Sequence, residues 1–370
     1  MQIDSLEIFH VELPLRFPQR FPHATFDTLQ TVLVRLESGG VCGWGEAGPG
    51  TLPISGPEWA GGVFLALRDC LGPAVVGQSI DSGEALQKAL ARFHGNRFAK
   101  AALDFAWWDL EARRQEQPLA KLLDGQAEAV QVGPTFDEME SIDDLLMAVH
   151  NASSAGFQRV GLKFRPGWDV QMVNFVRQEF PVLPVHIDCE GALRLDHMEM
   201  LCRLDDFSLT MIEQPLPADD LVGHAMVQEA VRTPLCLGES VNTPEQADMA
   251  LELHSCKWVK IDPGRVGGLT PALAIWKKCS DESMPCWVGI PLLTAVGERA
   301  YLSLASKPNF TYPADYQPAR EMLIEDLAER ANPTPDAEGQ QQVVLWNQPG
   351  IGIDPNAELL QRYSLAKAKL

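Results

Sequence analysis

Between residues 130 and 312, eight short apolar runs recur, each pair separated by a stretch long enough for an amphipathic helix. They read VQVGPTF (130–136), RVGLKF (159–164), LPVHID (183–188), SLTMIE (208–213), PLCLGE (234–239), WVKID (258–262), PCWVGI (285–290) and PNFTY (308–312). One strand, one helix and two loops fill such an interval, because parallel neighbours need a crossover connection of this length. Eight repeats of that unit are what a (β/α)₈ barrel requires. A doubly wound open sheet shares the rhythm, but no G-x-G-x-x-G follows the first run, and the count of eight favours closure.

The first 125 residues have a different rhythm. Residues 2–12 and 30–37 (QTVLVRLE) are strand-like, and Gly39 and Gly40 turn the chain back into VCGWGEAG, as in an antiparallel meander. Helical spacing follows at 57–74, 80–93 and 96–116, and LLDG at 122–125 closes the segment. This is an α+β domain placed ahead of the barrel.

The residues that end the barrel runs carry the chemistry. Lys163, Asp188 and Glu213 are spaced by 25 residues, Glu239 follows after 26 and Asp262 after 23. Each therefore sits at the C-terminal end of its own strand, and that face is where barrel enzymes keep their active sites. Acids in such positions also cap the helices that follow. Capping accounts for one or two of them, not for five in succession.

Asp188, Glu213 and Glu239 offer oxygen ligands with no His or Cys cluster nearby, a set that selects Mg²⁺, or Mn²⁺, over zinc. Lys163, one strand earlier, is the candidate general base, its pKa expected to be lowered by burial and by the charge of the metal. The reaction class is proton abstraction next to a carboxylate, with a metal-stabilised enolate.

Composition excludes other classes. The chain has 30 Lys+Arg against 50 Asp+Glu, a formal charge of −20, so neither nucleic acid nor an anionic membrane is an expected partner. The N-terminus shows no signal-peptide pattern, and no apolar run approaches a membrane span. The eight cysteines form no C-x-x-C pair and read as reduced thiols of a cytoplasmic protein.

The segments LKFRPGWD, HIDCEGAL, MIEQPL, CLGESV and PGRVGG together resemble the enolase superfamily, in its muconate-lactonising subgroup, nearest to o-succinylbenzoate synthases and N-succinylamino-acid racemases. PLRFP (14–18), VCGWGEAG (41–48), AKAALDFAWWDLEAR (99–113) and PNFTYPAD (308–315) extend the resemblance over the whole chain. It implies an α+β capping domain (1–125), a modified TIM barrel, (β/α)₇β (126–320), and a C-terminal segment (321–370) that returns to the cap. It also implies a small-molecule carboxylate substrate and a homo-oligomer.

Residue by residue, the resemblance assigns the base to Lys163 and the first two metal ligands to Asp188 and Glu213. Several positions depart from the family pattern. The first lysine of K-x-K is Gly161, the usual D-A-N reads Asp188-Cys189-Glu190, and the third ligand position is Gly238. A bulge there would bring Glu239 back to the mouth. The opposing lysine of the sixth strand is Asp262, and Lys260 lies two residues earlier on the same face, read as neutralising Asp262. The seventh strand has no His, and Leu293 stands where a Glu is usual.

Two-base racemisation needs a proton carrier on each face of the substrate, whereas a syn elimination runs on one. An o-succinylbenzoate-synthase-like dehydration is therefore favoured. The alternatives are a changed reaction (muconate cycloisomerase-like, or on an acid sugar or dipeptide) and an impaired barrel that only binds a carboxylate. His186 is read as a satisfied histidine of the barrel interior and His23 as a surface histidine of the cap. Trp107, Trp108, Trp258 and Trp287 are read as packing.

Overall fold

The computed structural model describes residues 1–21, 24–54, 56–316 and 322–370; His23 lies outside them. Strands β1 (Ser5–Phe21), β2 (Ala24–Ser38) and β3 (Val41–Ala47) form an antiparallel meander. Gly39 and Gly40 join β2 to β3 at φ +58° and +81°, the backbone that a two-residue hairpin turn demands. The C-terminal strand β15 (Ser364–Lys369) pairs antiparallel with β1, so the sheet order is β15-β1-β2-β3. One face of this sheet buries Ile8, Val34 and Leu36 against Ala102, Leu103, Ala106 and Leu110 of the helix Arg97–Arg114.

The rest of the chain builds the barrel. Strand β4 (Ala129–Gly133) runs across Pro134 into β5 (Thr135–Phe136). Then come β6 (Val160–Lys163), β7 (Val185–Asp188), β8 (Ile212–Glu213), β9 (Leu235–Leu237), β10 (Trp258–Ile261) and β11 (Cys286–Val288), all parallel and in sequence order. Strand β12 (Ala314–Asp315) pairs in parallel with β4, while Cys286 of β11 exchanges backbone hydrogen bonds with Asn309 and Thr311. The eighth run thus lies between β11 and β4, and the ring closes. Its regular pairing falls on Ala314–Asp315 rather than on 308–312, because Pro313 has no N–H to continue the ladder. Beyond β12, β13 (Thr334–Pro335) and β14 (Gln341–Val344) extend the sheet antiparallel to the outer edge of β4.

Among the described residues, seven α-helices of six residues or more connect these strands: Ile142–Ser154, Val170–Glu179, Met198–Arg203, Leu221–Ala230, Pro244–Glu252, Leu269–Asp281 and Ala295–Ala305. Five begin at a side chain that accepts a backbone N–H, from Ser141, Asp169, Asp220, Thr243 and Thr294, which removes one unsatisfied donor from each first turn. The architecture is the (β/α)₇β barrel with an N-terminal α+β cap.

Two buried acids of the cap dock onto barrel helices at their N-termini. Glu46 of β3 accepts from the Thr294 N–H (3.0 Å), the Thr294 hydroxyl (2.5 Å) and the Gly297 N–H (2.9 Å). Asp104 accepts from the Thr270 N–H (3.0 Å), and the Trp108 indole donates to the Thr270 hydroxyl (2.9 Å). These contacts hold the cap over the barrel. Among the described residues no helix is long and apolar enough to cross a membrane, and all eight cysteines are free.

Candidate active site

Lys163, Asp188 and Glu213 are consecutive register partners at the ends of β6, β7 and β8. An in-register parallel ladder places them side by side, and their side chains share the barrel mouth. The Lys163 Nζ donates to Asp188 Oδ2 (2.8 Å) and to Glu190 Oε1 (2.7 Å). Burial opposes the charge on Lys163, but Asp188 and Glu190 outweigh it and hold the amine above the ordinary lysine range. Burial by itself therefore does not lower the amine, because two carboxylates sit within hydrogen-bond reach. Asp188 shows the complementary effect: against its burial, Lys163 and Lys260 hold it well below the usual carboxylate range.

Lys260 also reaches this cluster, by a route the sequence does not suggest. Its Nζ donates to Glu213 Oε1 at 2.5 Å and lies 3.8 Å from Asp315 Oδ2 and 4.0 Å from Asp188 Oδ2. Burial works against its charge too, but Glu213, Asp315 and Asp188 prevail and keep it an ammonium. Lys260 therefore does not neutralise Asp262. That carboxylate is already engaged: Asp262 Oδ1 accepts from the N–H groups of Gly264 (3.0 Å) and Arg265 (3.3 Å), capping the short helix Pro263–Val266, and from the Tyr301 hydroxyl (3.0 Å). The capping explanation considered for the whole series holds for Asp262 alone among the five.

Glu239 does not join Asp188 and Glu213. Strand β9 ends at Leu237, and Gln214 accepts from the N–H groups of Gly238 and Ser240 (both 3.2 Å), fixing a turn just where a bulge was expected. That turn directs Glu239 towards Arg265, at 3.4 Å. The space left by the missing first lysine of K-x-K is filled: a Cβ added to Gly161 would stand 2.4 Å from Thr135 Oγ1 and 2.6 Å from the His186 ring. His186 is fully buried, its Nδ1 bonded to the Tyr312 hydroxyl (3.1 Å), its ring edge-on to Trp287, and burial with the nearby Arg159 pushes its pKa down to about 3. It is only half satisfied, since its Nε2 has no hydrogen-bond partner and faces Glu213 Oε2 at 3.8 Å.

Two further members of the cluster escaped the sequence reading. Glu190, which in the sequence is only a departure from the family pattern, holds Lys163 at 2.7 Å. Asp315 closes the ring, with Arg159 at 2.9 Å on one side and Lys260 on the other. A signal for Asp315 exists, since it lies 25 residues beyond Ile290, the last residue of the seventh apolar run.

Comparison with known proteins identifies the scaffold. Residues 3–124 match the family described as mandelate racemase / muconate lactonizing enzyme, N-terminal domain, and residues 144–359 match the one described as enolase C-terminal domain-like. The chain belongs to the enolase superfamily. It is 34% identical over 365 residues to an o-succinylbenzoate synthase of Bacillus subtilis (strain 168), covering 98% of this chain and 97% of that protein. It is 35% identical over 365 residues to an N-succinylamino acid racemase of Thermus thermophilus, covering 99% and 98%. A solved enolase-superfamily structure from Listeria innocua superposes with a TM-score of 0.92 at 28% identity, covering 100% of this chain and 99% of that one. The superfamily relatives with assigned activities are lyases, racemases and epimerases, all enzymes.

Enolase-superfamily enzymes of this kind generally use Mg²⁺. The residues present here do not fit that ion. Among the described residues, no three His, Cys, Asp or Glu side chains are grouped to hold a metal. One oxygen of Glu213 and one of Glu239 lack hydrogen-bond partners, as metal ligands would, but the free Glu213 oxygen faces His186 and Glu239 is turned to Arg265. The mouth-facing oxygens of Asp188 and Glu213 are taken by lysines.

Proposed function

We propose that this chain is a lyase or isomerase of small carboxylic acids, removing the proton beside the carboxylate with Lys163 as its single base. The observation that supports this reading is asymmetry across the mouth. Lys163 stands at one strand end with its amine at the surface of the site, while the opposite strand end presents Asp262, committed to capping and to Tyr301. One base suffices for a syn elimination of the o-succinylbenzoate-synthase kind. Lys163, whose side chain is partly exposed, acts once its ammonium has given its proton to solvent water. The free amine takes the α-proton, and the C–H electrons enter the carboxylate as an enolate. The same ammonium then returns the proton to the β-hydroxyl, which leaves as water while the C=C bond forms.

The test is solvent deuterium exchange and turnover across a panel of N-acylamino acids and o-succinylbenzoate precursors, with and without Mg²⁺. Lys163→Ala is expected to lower the rate by about a hundredfold or more, the usual contribution of a positioned proton-transfer group. No exchange or turnover across the panel, or a variant as active as the parent, would sink the base assignment. The paired state of Lys163 favours one other reading, a barrel that binds a carboxylate without converting it. Saturable binding of a panel member with no exchange is its signature.

A further inference from the structure

We propose that the ammonium of Lys260 is the resident cation of this barrel mouth, standing among Asp188, Glu213 and Asp315 in place of a divalent metal ion. The site built around it holds its carboxylate ligand without Mg²⁺ or Mn²⁺. The ligand class rests on the function proposed above; the exclusion of metal does not.

The geometry carries the argument. Three carboxylates from three strands face one amine at 2.5, 3.8 and 4.0 Å. Magnesium demands oxygen ligands at about 2.1 Å in near-octahedral array. Glu213 Oε1 cannot meet that demand while it accepts from Lys260.

The chain is also shaped to seat the lysine stem. A Cβ on Gly289, just beyond one neighbouring strand, would lie 2.3 Å from Lys260 Cε. A Cβ on Gly238, just beyond the other, would lie 3.5 Å from Lys260 Cδ, so the bare glycine leaves the stem its room. The Trp287 ring lies 5.0 Å from Nζ and presents a face suited to a cation. Lys260 thus has a slot between two glycines, an aromatic wall and a ring of acids.

Charge is balanced in the same way. Asp188, Glu213 and Glu239 around a divalent ion would carry a single net negative charge. Asp188, Glu213 and Asp315 around Lys260 carry the same once Arg159, paired with Asp315 at 2.9 Å, is counted. The Lys163 and Lys260 amines both lie within 4.0 Å of Asp188 Oδ2, so two ammonium groups flank the place where an anionic ligand would enter.

Mn²⁺ binding, read from the EPR signal of the free ion, tests the proposal on the intact chain. The parent protein is expected to leave millimolar Mn²⁺ free, with a melting temperature indifferent to Mg²⁺ and to EDTA. Lys260→Met, which keeps the stem and takes the ammonium away from Glu213, Asp188 and Asp315, is expected to bind Mn²⁺ about a hundredfold more tightly. Stoichiometric, Mg²⁺-competed Mn²⁺ binding by the parent overturns the proposal. So does a folded Lys260→Met protein that binds no better than the parent. Should Lys260→Met fail to fold, the parent titration decides alone. A substrate panel without turnover would count against the proposed function and leave the Mn²⁺ result to stand by itself.

Discussion

Arg159→Leu is expected to lower the unfolding free energy by about 3–5 kcal/mol, the cost of breaking a buried ion pair from one side. Arg159 is 1% exposed and spans the closure of the barrel. Its guanidinium donates to Asp315 Oδ1 (2.9 Å), to the carbonyls of Pro313 and Pro134 (both 3.1 Å) and to the Thr135 hydroxyl (3.1 Å). It therefore ties β6, from whose start it extends, to both the first and the last strand of the ring. Leucine would leave the buried Asp315 with only the more distant Lys260 amine and the Thr135 hydroxyl as partners, and would remove a donor from the Pro313 and Pro134 carbonyls. Urea unfolding of Arg159→Leu, Asp315→Leu and the double variant measures the pair. Partial recovery in the double variant is expected, since a buried pair replaced by apolar groups often comes out neutral. A loss under about 1 kcal/mol in the single variant would mean that the seam is held by strand pairing alone.

The contrast between the pair Arg159–Asp315 and the pair Lys260–Glu213 explains what could be read in advance. Strand ends recur at a fixed interval, so Lys163, Asp188 and Glu213 were legible from spacing, and the in-register ladder delivers them to one place. Whether a neighbouring residue joins them depends on contacts far away in sequence. Glu239 is turned aside by Gln214, a residue of the preceding strand end that holds the backbone of Gly238 and Ser240. Lys260 chooses Glu213 over Asp262 because glycines 238 and 289 open a slot for it and because Tyr301 and a helix N-terminus have already claimed Asp262. Asp315 was hidden by Pro313, which ended the apolar run before the strand that matters. The fold was legible because it depends on periodicity; the partners in the site depend on side-chain competition, which periodicity does not record.

The seam between cap and barrel should weaken as the pH rises through about 6. Glu46 and Asp104 are fully buried, and burial pushes each carboxyl up to about 6, with the hydrogen bonds from Thr294 and Thr31 to the one, and from Thr270 and Gln87 to the other, offsetting only part of it. Their ordinary values are 4.5 and 3.8, so each binds its proton more tightly in the folded chain than in the unfolded one. Below about pH 4 both states are protonated and the contribution of these acids to stability is fully present. Between there and pH 6 the unfolded chain releases its protons first, and stability falls; above the folded pKa the loss is complete. The two shifts correspond to about 2 and 3 kcal/mol. Glu46→Gln and Asp104→Asn cannot ionise, and each keeps one oxygen as an acceptor. Other titrating groups are common to parent and variant, so their effects cancel in the difference between them. From about pH 4 to pH 7 the double variant should gain about 5 kcal/mol relative to the parent in urea unfolding. A difference that stays flat over that range would mean that both carboxylates are already ionised at no cost, the helix N-termini of Thr294 and Thr270 supplying all the stabilisation that burial takes away.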